Sequence, residues 1–106
     1  MRALYKGCRP HLLYKMESIL QNKEDGCLLC GNPYVEEHHV VYGTANRKLS
    51  TRYGLLVYLC AEHHRGAHGV HHNAALDLRL KQMAQSRFQE VYPDEDWLKV
   101  FGRNYI

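Results

Sequence analysis

Two short pairs, Cys27-x2-Cys30 and Cys60-x2-His63, constrain this chain more than any other feature. Each pair bites a metal ion from a single turn, and together they supply the four ligands that tetrahedral zinc takes. The 29 residues between Cys30 and Cys60 must therefore leave the first pair and return to the second, which predicts a hairpin-like excursion. A lone Cys-x2-Cys reads equally well as a redox pair, a disulfide or two buried thiols; a second pair at the same internal spacing favours structural zinc. Closing the site requires thiolates and a neutral His63, so stability is expected to depend on the metal. Cys8 has no ligand near it in sequence and reads as an ordinary thiol.

The chain has 106 residues, a formal charge of +3 and eight histidines. Its length predicts a single domain over 1–106, large enough for a core and small enough to benefit from a metal staple. The charge favours an anionic partner. No apolar run approaches the roughly 20 residues of a membrane span, and the first 21 residues lack the apolar core of a secretory signal. A cytoplasmic location without membrane contact is expected, and there a Cys-x2-Cys pair reads as metal or redox chemistry.

Leu12, Leu13, Met16, Ile19 and Leu20 form a helical stripe in residues 11–24, which Asp25 and Gly26 should stop. The knuckle Cys27 to Pro33 follows, then a predicted strand over 34–42, a polar loop from Gly43 to Tyr53 and a short apolar strand ending at Cys60. Gly66 and Gly69 limit any helix after Cys60 to one or two turns. From Asn73, a plausible N-cap, Leu76, Leu80, Met83, Ala84, Phe88 and Val91 share one helical face, which reads as core. Pro93 ends that helix, Asp94 is placed to cap the next, and Trp97 and Phe101 lie one turn apart before Gly102.

With the four zinc ligands assigned, His38, His39, His64, His68, His71 and His72 remain between the first zinc pair and Asn73, apart from His11 near the N-terminus. On a strand the adjacent His38 and His39 leave opposite faces and must have different partners. His64 and His68 are spaced i, i+4, so on a helix they share a face and can meet one ion, with His38 from the hairpin as third ligand. His39 beside that ion, without ligating it, suits general-base work, while a divalent cation steadies phosphate charge. Arg65, between the proposed ligands, is the candidate for holding phosphate, and Arg47, Lys48 and Arg52 add phosphate-contact capacity in the 44–52 loop. Glu36 and Glu37 read as solvated edge acids, with Glu37 the candidate to orient a histidine. Tyr42, Tyr53 and Tyr58 read as core or zinc packing, and Trp97 and Phe101 carry no catalytic role.

The stretches EEHHVVYG (36–43), GLLVYLCAEHH (54–64) and RGAHGVHH (65–72), set in the Cys/Cys/Cys/His frame, resemble the HNH endonucleases, also called His-Me finger or ββα-metal nucleases. Small phage and prophage HNH-type proteins related to a recombination-enhancement nuclease are the nearest in character, and the resemblance spans about residues 27–72. It implies a hairpin and helix gripping a catalytic metal, with His38 a metal ligand, His39 the general base and His64 the first ligand from the following segment. The last ligand is His68, at the familiar four-residue spacing, or His71, if the glycines bend the chain. HNH proteins commonly carry an asparagine shortly before the second zinc pair that orients the base; Leu55 stands there, leaving Asn46 or a backbone carbonyl to substitute.

The expected fold is α+β: a zinc-stabilised ββα-metal, treble-clef-like core with flanking N- and C-terminal helices. The expected function is hydrolysis of DNA phosphodiester bonds using structural Zn²⁺ and a catalytic Mg²⁺, Mn²⁺ or Zn²⁺. RNA as substrate, and a recombination or phage-associated protein as partner, stay open. The competing readings are a noncatalytic zinc-binding module for DNA recognition or recombination, and a protein-interaction domain using the C-terminal helices.

Overall fold

The computed structural model describes residues 17–106. Residues 11–16 of the helix expected over 11–24 lie outside them, and from Glu17 to Asn22 the chain is not helical. The Ser18 hydroxyl offers the backbone an alternative, accepting from the N–H groups of Leu20 and Gln21 and donating to Leu56 O at 2.5 Å. Ile19 N–H bonds Gly54 O at 2.8 Å, so the segment lies along the second strand and buries Ile19. A single 3-10 turn, Lys23–Asp25, precedes the knuckle.

Strands β1, Glu36–His39, and β2, Leu56–Leu59, pair antiparallel with His38 opposite Val57 and His39 opposite Leu56. β1 is shorter than the apolar run suggests because a side chain takes over its hydrogen bonds. Val40 N–H still reaches Leu55 O at 3.0 Å, but Val41 gives its N–H to the buried Ser50 hydroxyl and receives that hydroxyl's proton at 2.6 Å.

The connection between the strands is not the expected polar loop. Residues Thr44–Tyr53 form a ten-residue helix, α1. Its Thr, Asn, Ser and Arg residues give no apolar stripe to read, yet Ser50 and Tyr53 are buried and Leu49 packs on the core, one narrow face that tertiary contact holds helical. Gly54 ends the helix at φ 76°, and a Cβ there would stand 2.5 Å from Glu17 O.

Helix α2, Ala61–Arg65, is a little over one turn, followed by a 3-10 turn at Val70–His72. Helix α3 runs Ala74–Val91, with the Asn73 side chain accepting from Leu76 N–H at 3.0 Å as expected of its N-cap. Helix α4, Trp97–Phe101, is capped by Asp96, two residues after the expected Asp94, and ends at Gly102 in the left-handed region. The molecule is thus mixed α and β around a two-stranded sheet. Its core joins Leu55, Val57 and Leu59 of the β2 region to Leu80, Ala84 and Phe88 of α3. Phe88 packs edge-on against Tyr53 and Trp97 at 5.1 and 5.2 Å between ring centres, so α1, α3 and α4 meet around one ring. No helix among the described residues is long and apolar enough to cross a membrane.

Candidate metal centres

The knuckle is built by its glycines. Gly31 N–H bonds Cys27 O, and Cys27 N–H bonds Asn32 O, both at 2.8 Å. Gly26 sits at φ 76°, where a Cβ would lie 2.7 Å from Gly31 O. The turn is pinned to β2 by Leu28 N–H to Tyr58 O at 2.9 Å, and by Gln21, whose amide donates to Gly26 O and accepts from Tyr58 N–H. This docking carries Cys27 and Cys30 to Cys60, where β2 ends, and to His63 on α2.

Cys30 Sγ and Cys60 Sγ are 3.8 Å apart, and His63 Nδ1 lies 3.6 and 3.3 Å from Cys27 Sγ and Cys60 Sγ. A tetrahedron with Zn–S of about 2.3 Å and Zn–N of about 2.0–2.1 Å requires S···S of about 3.8 Å and S···N of about 3.5 Å. The four donors therefore fit zinc, and they lie close together as one candidate metal cluster. Burial alone would raise the Cys27 thiol, but hydrogen bonds from the backbone of Cys60, Leu29 and Cys30 and from His63 outweigh it and bring its pKa to about 6, favouring the thiolate a metal takes.

A second cluster gathers His38, His64 and His71, one ligand atom from each lying within 4.8 Å of the others. Three elements converge to make it: β1 sends in His38, α2 His64, and the 3-10 turn after Gly69 brings His71 back toward them. Of the two candidates for the last ligand, the structure brings His71 into the cluster. α2 ends at Arg65, so the i, i+4 geometry that would have paired His68 with His64 never forms, and His68 sits exposed in the turn. His72 is also exposed.

His64 Nδ1 meets Glu36 Oε1 at 2.7 Å, and Arg65 grips the same carboxylate through Nε at 2.9 and 3.0 Å and Nη2 at 2.5 Å. The Arg65 hydrogen bonds first, and His64 second, bring the Glu36 pKa down to about 2. An ionised Glu36 accepts the Nδ1–H of His64 and so turns the Nε2 lone pair of that ring inward. There His64 Nε2 lies 3.2 Å from His71 Nε2. Two imidazole nitrogens on one cation at about 2.05 Å stand about 2.9 to 3.3 Å apart, from octahedral to tetrahedral. His38 is only 2% exposed, and its Nε2 is buried without a hydrogen-bond partner. A buried imidazole nitrogen without a partner is costly, and a cation shared with His64 and His71 would satisfy it. Burial first, then the nearby His64 and His71, depress the His38 pKa to about 3, keeping it neutral as a ligand must be. The residues present fit a divalent cation.

The chain matches no protein-family model, curated protein or solved structure.

His39 leaves the opposite face of β1 yet borders the same cleft, with His38, His64, His71 and Arg47. Its Nε2 is 3.0 Å from Thr51 Oγ1, and Thr51 gives its own proton to Arg47 O at 3.1 Å. Thr51 therefore accepts from His39 Nε2–H, which leaves the basic lone pair on Nδ1. The orienting contact to the ring comes from Thr51, where Asn46 or a backbone carbonyl was expected; Leu55 is fully buried in the core. Only a helical reading of 44–53 would have revealed Thr51, because only a helix turns it toward β1. Arg65 is bound to Glu36, and Glu36, not Glu37, is the acid on a cluster histidine. Strand alternation contains the signal: Glu36 and His38 share a face two residues apart. Tyr53 joins the core, while Tyr42 packs against His38 and His71 at 6.0 and 5.6 Å between ring centres and beneath Lys81.

Proposed function

We propose that this protein is a divalent-metal-dependent endonuclease of the HNH type that hydrolyses DNA phosphodiester bonds, with structural Zn²⁺ held by Cys27, Cys30, Cys60 and His63. The observation that carries the reading is that His38, whose Nε2 is buried without a partner, clusters with His64 and His71, with His39 at the next position on the strand. His38, His64 and His71 would hold a single cation, which would supply positive charge to a phosphate and to its departing oxygen. The chain's own groups do the rest. Glu36 holds His64 in the ligating tautomer, and Arg65 holds Glu36. Thr51 fixes His39 so that Nδ1 takes a proton from the water that attacks phosphorus; the P–O bond to the leaving oxygen breaks as the new one forms. His39 belongs to this machinery because its neighbour on the strand is a cluster member while its own ring is held from α1.

Plasmid nicking across Mg²⁺, Mn²⁺ and Zn²⁺ tests this directly. His39→Ala should retain fold and zinc content and lose cleavage; equal cutting by the variant eliminates its role as base. The alternative, a noncatalytic zinc-binding module for DNA recognition or recombination, draws support from Leu55 at the asparagine position, buried where it can orient nothing. Salt-sensitive DNA binding with no nicking under any of the three metals would select it.

A further inference from the structure

Helix α1 replaces what reads in sequence as a loop, and this changes what its cations can do. On a helix Thr44, Arg47, Lys48 and Thr51 fall at i, i+3, i+4 and i+7, one face. That face and His39 form a hollow of their own, next to the cleft of the imidazole cluster; the two share His39, Thr44 and Arg47. Glu37 borders the first hollow, whereas no carboxylate borders the second. α1 contains no acidic residue, and among the described residues neither Arg47 nor Lys48 is in an ion pair with a carboxylate. The helix also begins at Gly43 without a side-chain cap, so its first N–H groups add positive potential at the mouth where the two hollows join, the cleft that His38, with its partnerless buried Nε2, also borders.

We infer that the Arg47–Lys48 face of α1 is a second phosphate subsite, holding the phosphate next to the one at the imidazole cluster. The inference rests on the nuclease reading for what occupies the first hollow. It narrows the ligand to a polynucleotide strand: a phosphomonoester or a single isolated linkage would fill only one of the adjoining hollows. The continuing backbone leaves along α1, where no carboxylate borders the hollow and the Thr44 hydroxyl adds a donor.

The test is equilibrium binding of a fluorescein-labelled 20-base-pair DNA duplex by the zinc-bound protein, without added Mg²⁺ or Mn²⁺, over a series of salt concentrations. Each lost phosphate contact on duplex DNA removes about 0.9 from the slope of log K against log salt, so R47A/K48A should flatten the slope by about 1.8. K99A/R103A removes the same charge from residues outside both hollows and should leave the slope unchanged. Equal flattening by both double variants would mean a net-charge effect and overturn the subsite, as would no flattening by R47A/K48A or no measurable duplex binding by the parent protein. Circular dichroism and zinc content confirm that the variants are folded. Plasmid nicking separates the two readings: nicking with an unaltered slope removes the subsite and keeps the nuclease, whereas the predicted slope change without nicking keeps the subsite and removes the nuclease.

Discussion

Glu36→Gln tests whether the imidazole cluster is built to hold a cation. The substitution keeps the shape of the side chain and removes its charge. In the parent structure Oε1 accepts from both His64 Nδ1 and Arg65 Nε, and Oε2 accepts from Arg65 Nη2 as well as Nε. Glutamine has one acceptor oxygen for this work. If that oxygen turns to His64, its NH₂ group faces the guanidinium of Arg65; if it turns to Arg65, the NH₂ faces His64 Nδ1 and the ring loses the acceptor that fixes its tautomer. Carboxylates behind metal-bound imidazoles typically contribute 10- to 100-fold in metal affinity. Glu36→Gln should weaken Co²⁺ binding at this site by about 10-fold where the amide oxygen stays on His64, and Glu36→Ala by about 100-fold. Arg65→Ala, which leaves the His64–Glu36 bond in place, should do less than either. The assay is a Co²⁺ titration of protein whose Cys/His site is already filled with zinc, read by visible absorption and checked by calorimetry. Unchanged Co²⁺ affinity in Glu36→Ala would refute the argument that this acid organises a metal ligand.

His71→Ala should abolish Co²⁺ binding at the imidazole cluster while His68→Ala leaves it within about twofold, the same titration deciding between the two ligands; this follows from the end of α2 at Arg65. Cys27→Ser, or zinc removal by a strong chelator, should partly unfold the knuckle and the hairpin it clamps, read as lost near-ultraviolet circular dichroism, and retention of the native spectrum after verified zinc loss would contradict the structural assignment. Tyr53 donates to Glu95 Oε1 at 3.3 Å, and burial first, then the Glu95 charge, raise its pKa above its ordinary value. Folded protein therefore keeps a proton that the unfolded chain sheds above about pH 10, so this contribution to stability is complete below that pH and declines as pH rises toward the folded-state value. Tyr53→Phe should cost about 1 kcal/mol at pH 7 and progressively less above pH 10, measured by urea unfolding. A cost independent of pH would remove Tyr53 from the alkaline titration.

What the sequence disclosed, it disclosed through spacing. The two zinc pairs, the Asn73 cap, the α3 stripe and the Gly102 stop all follow from residue type at a fixed interval, and the structure places them accordingly except at Met83, which is exposed while Gln85 is buried on α3. Hidden were the features that tertiary contact alone decides. Thr44–Tyr53 is helical because Leu49, Ser50 and Tyr53 reach the core, and nothing in its polar composition announces that. Ser18 diverts its segment from helix by a hydroxyl bond to a strand 38 residues away. At the candidate site the histidine identities were legible, but the choice of His71 over His68 depended on how Gly66 and Gly69 steer the chain. A Cβ on Gly69 would lie 2.8 Å from the carbonyl oxygens of Glu62 and His64, so this turn packs too closely against α2 for any side chain. In sequence Glu36 reads as a solvated edge acid because its partner, His64, is 28 residues distant.

Anomalous diffraction from crystals grown with Zn²⁺ and soaked in Mn²⁺ addresses the central claim most directly. The account predicts two peaks: zinc among Cys27, Cys30, Cys60 and His63, and manganese within bonding distance of ring nitrogens of His38, His64 and His71. A single peak at the Cys/His site, with the His38 ring nitrogen still unligated at saturating Mn²⁺ and Zn²⁺, would contradict it.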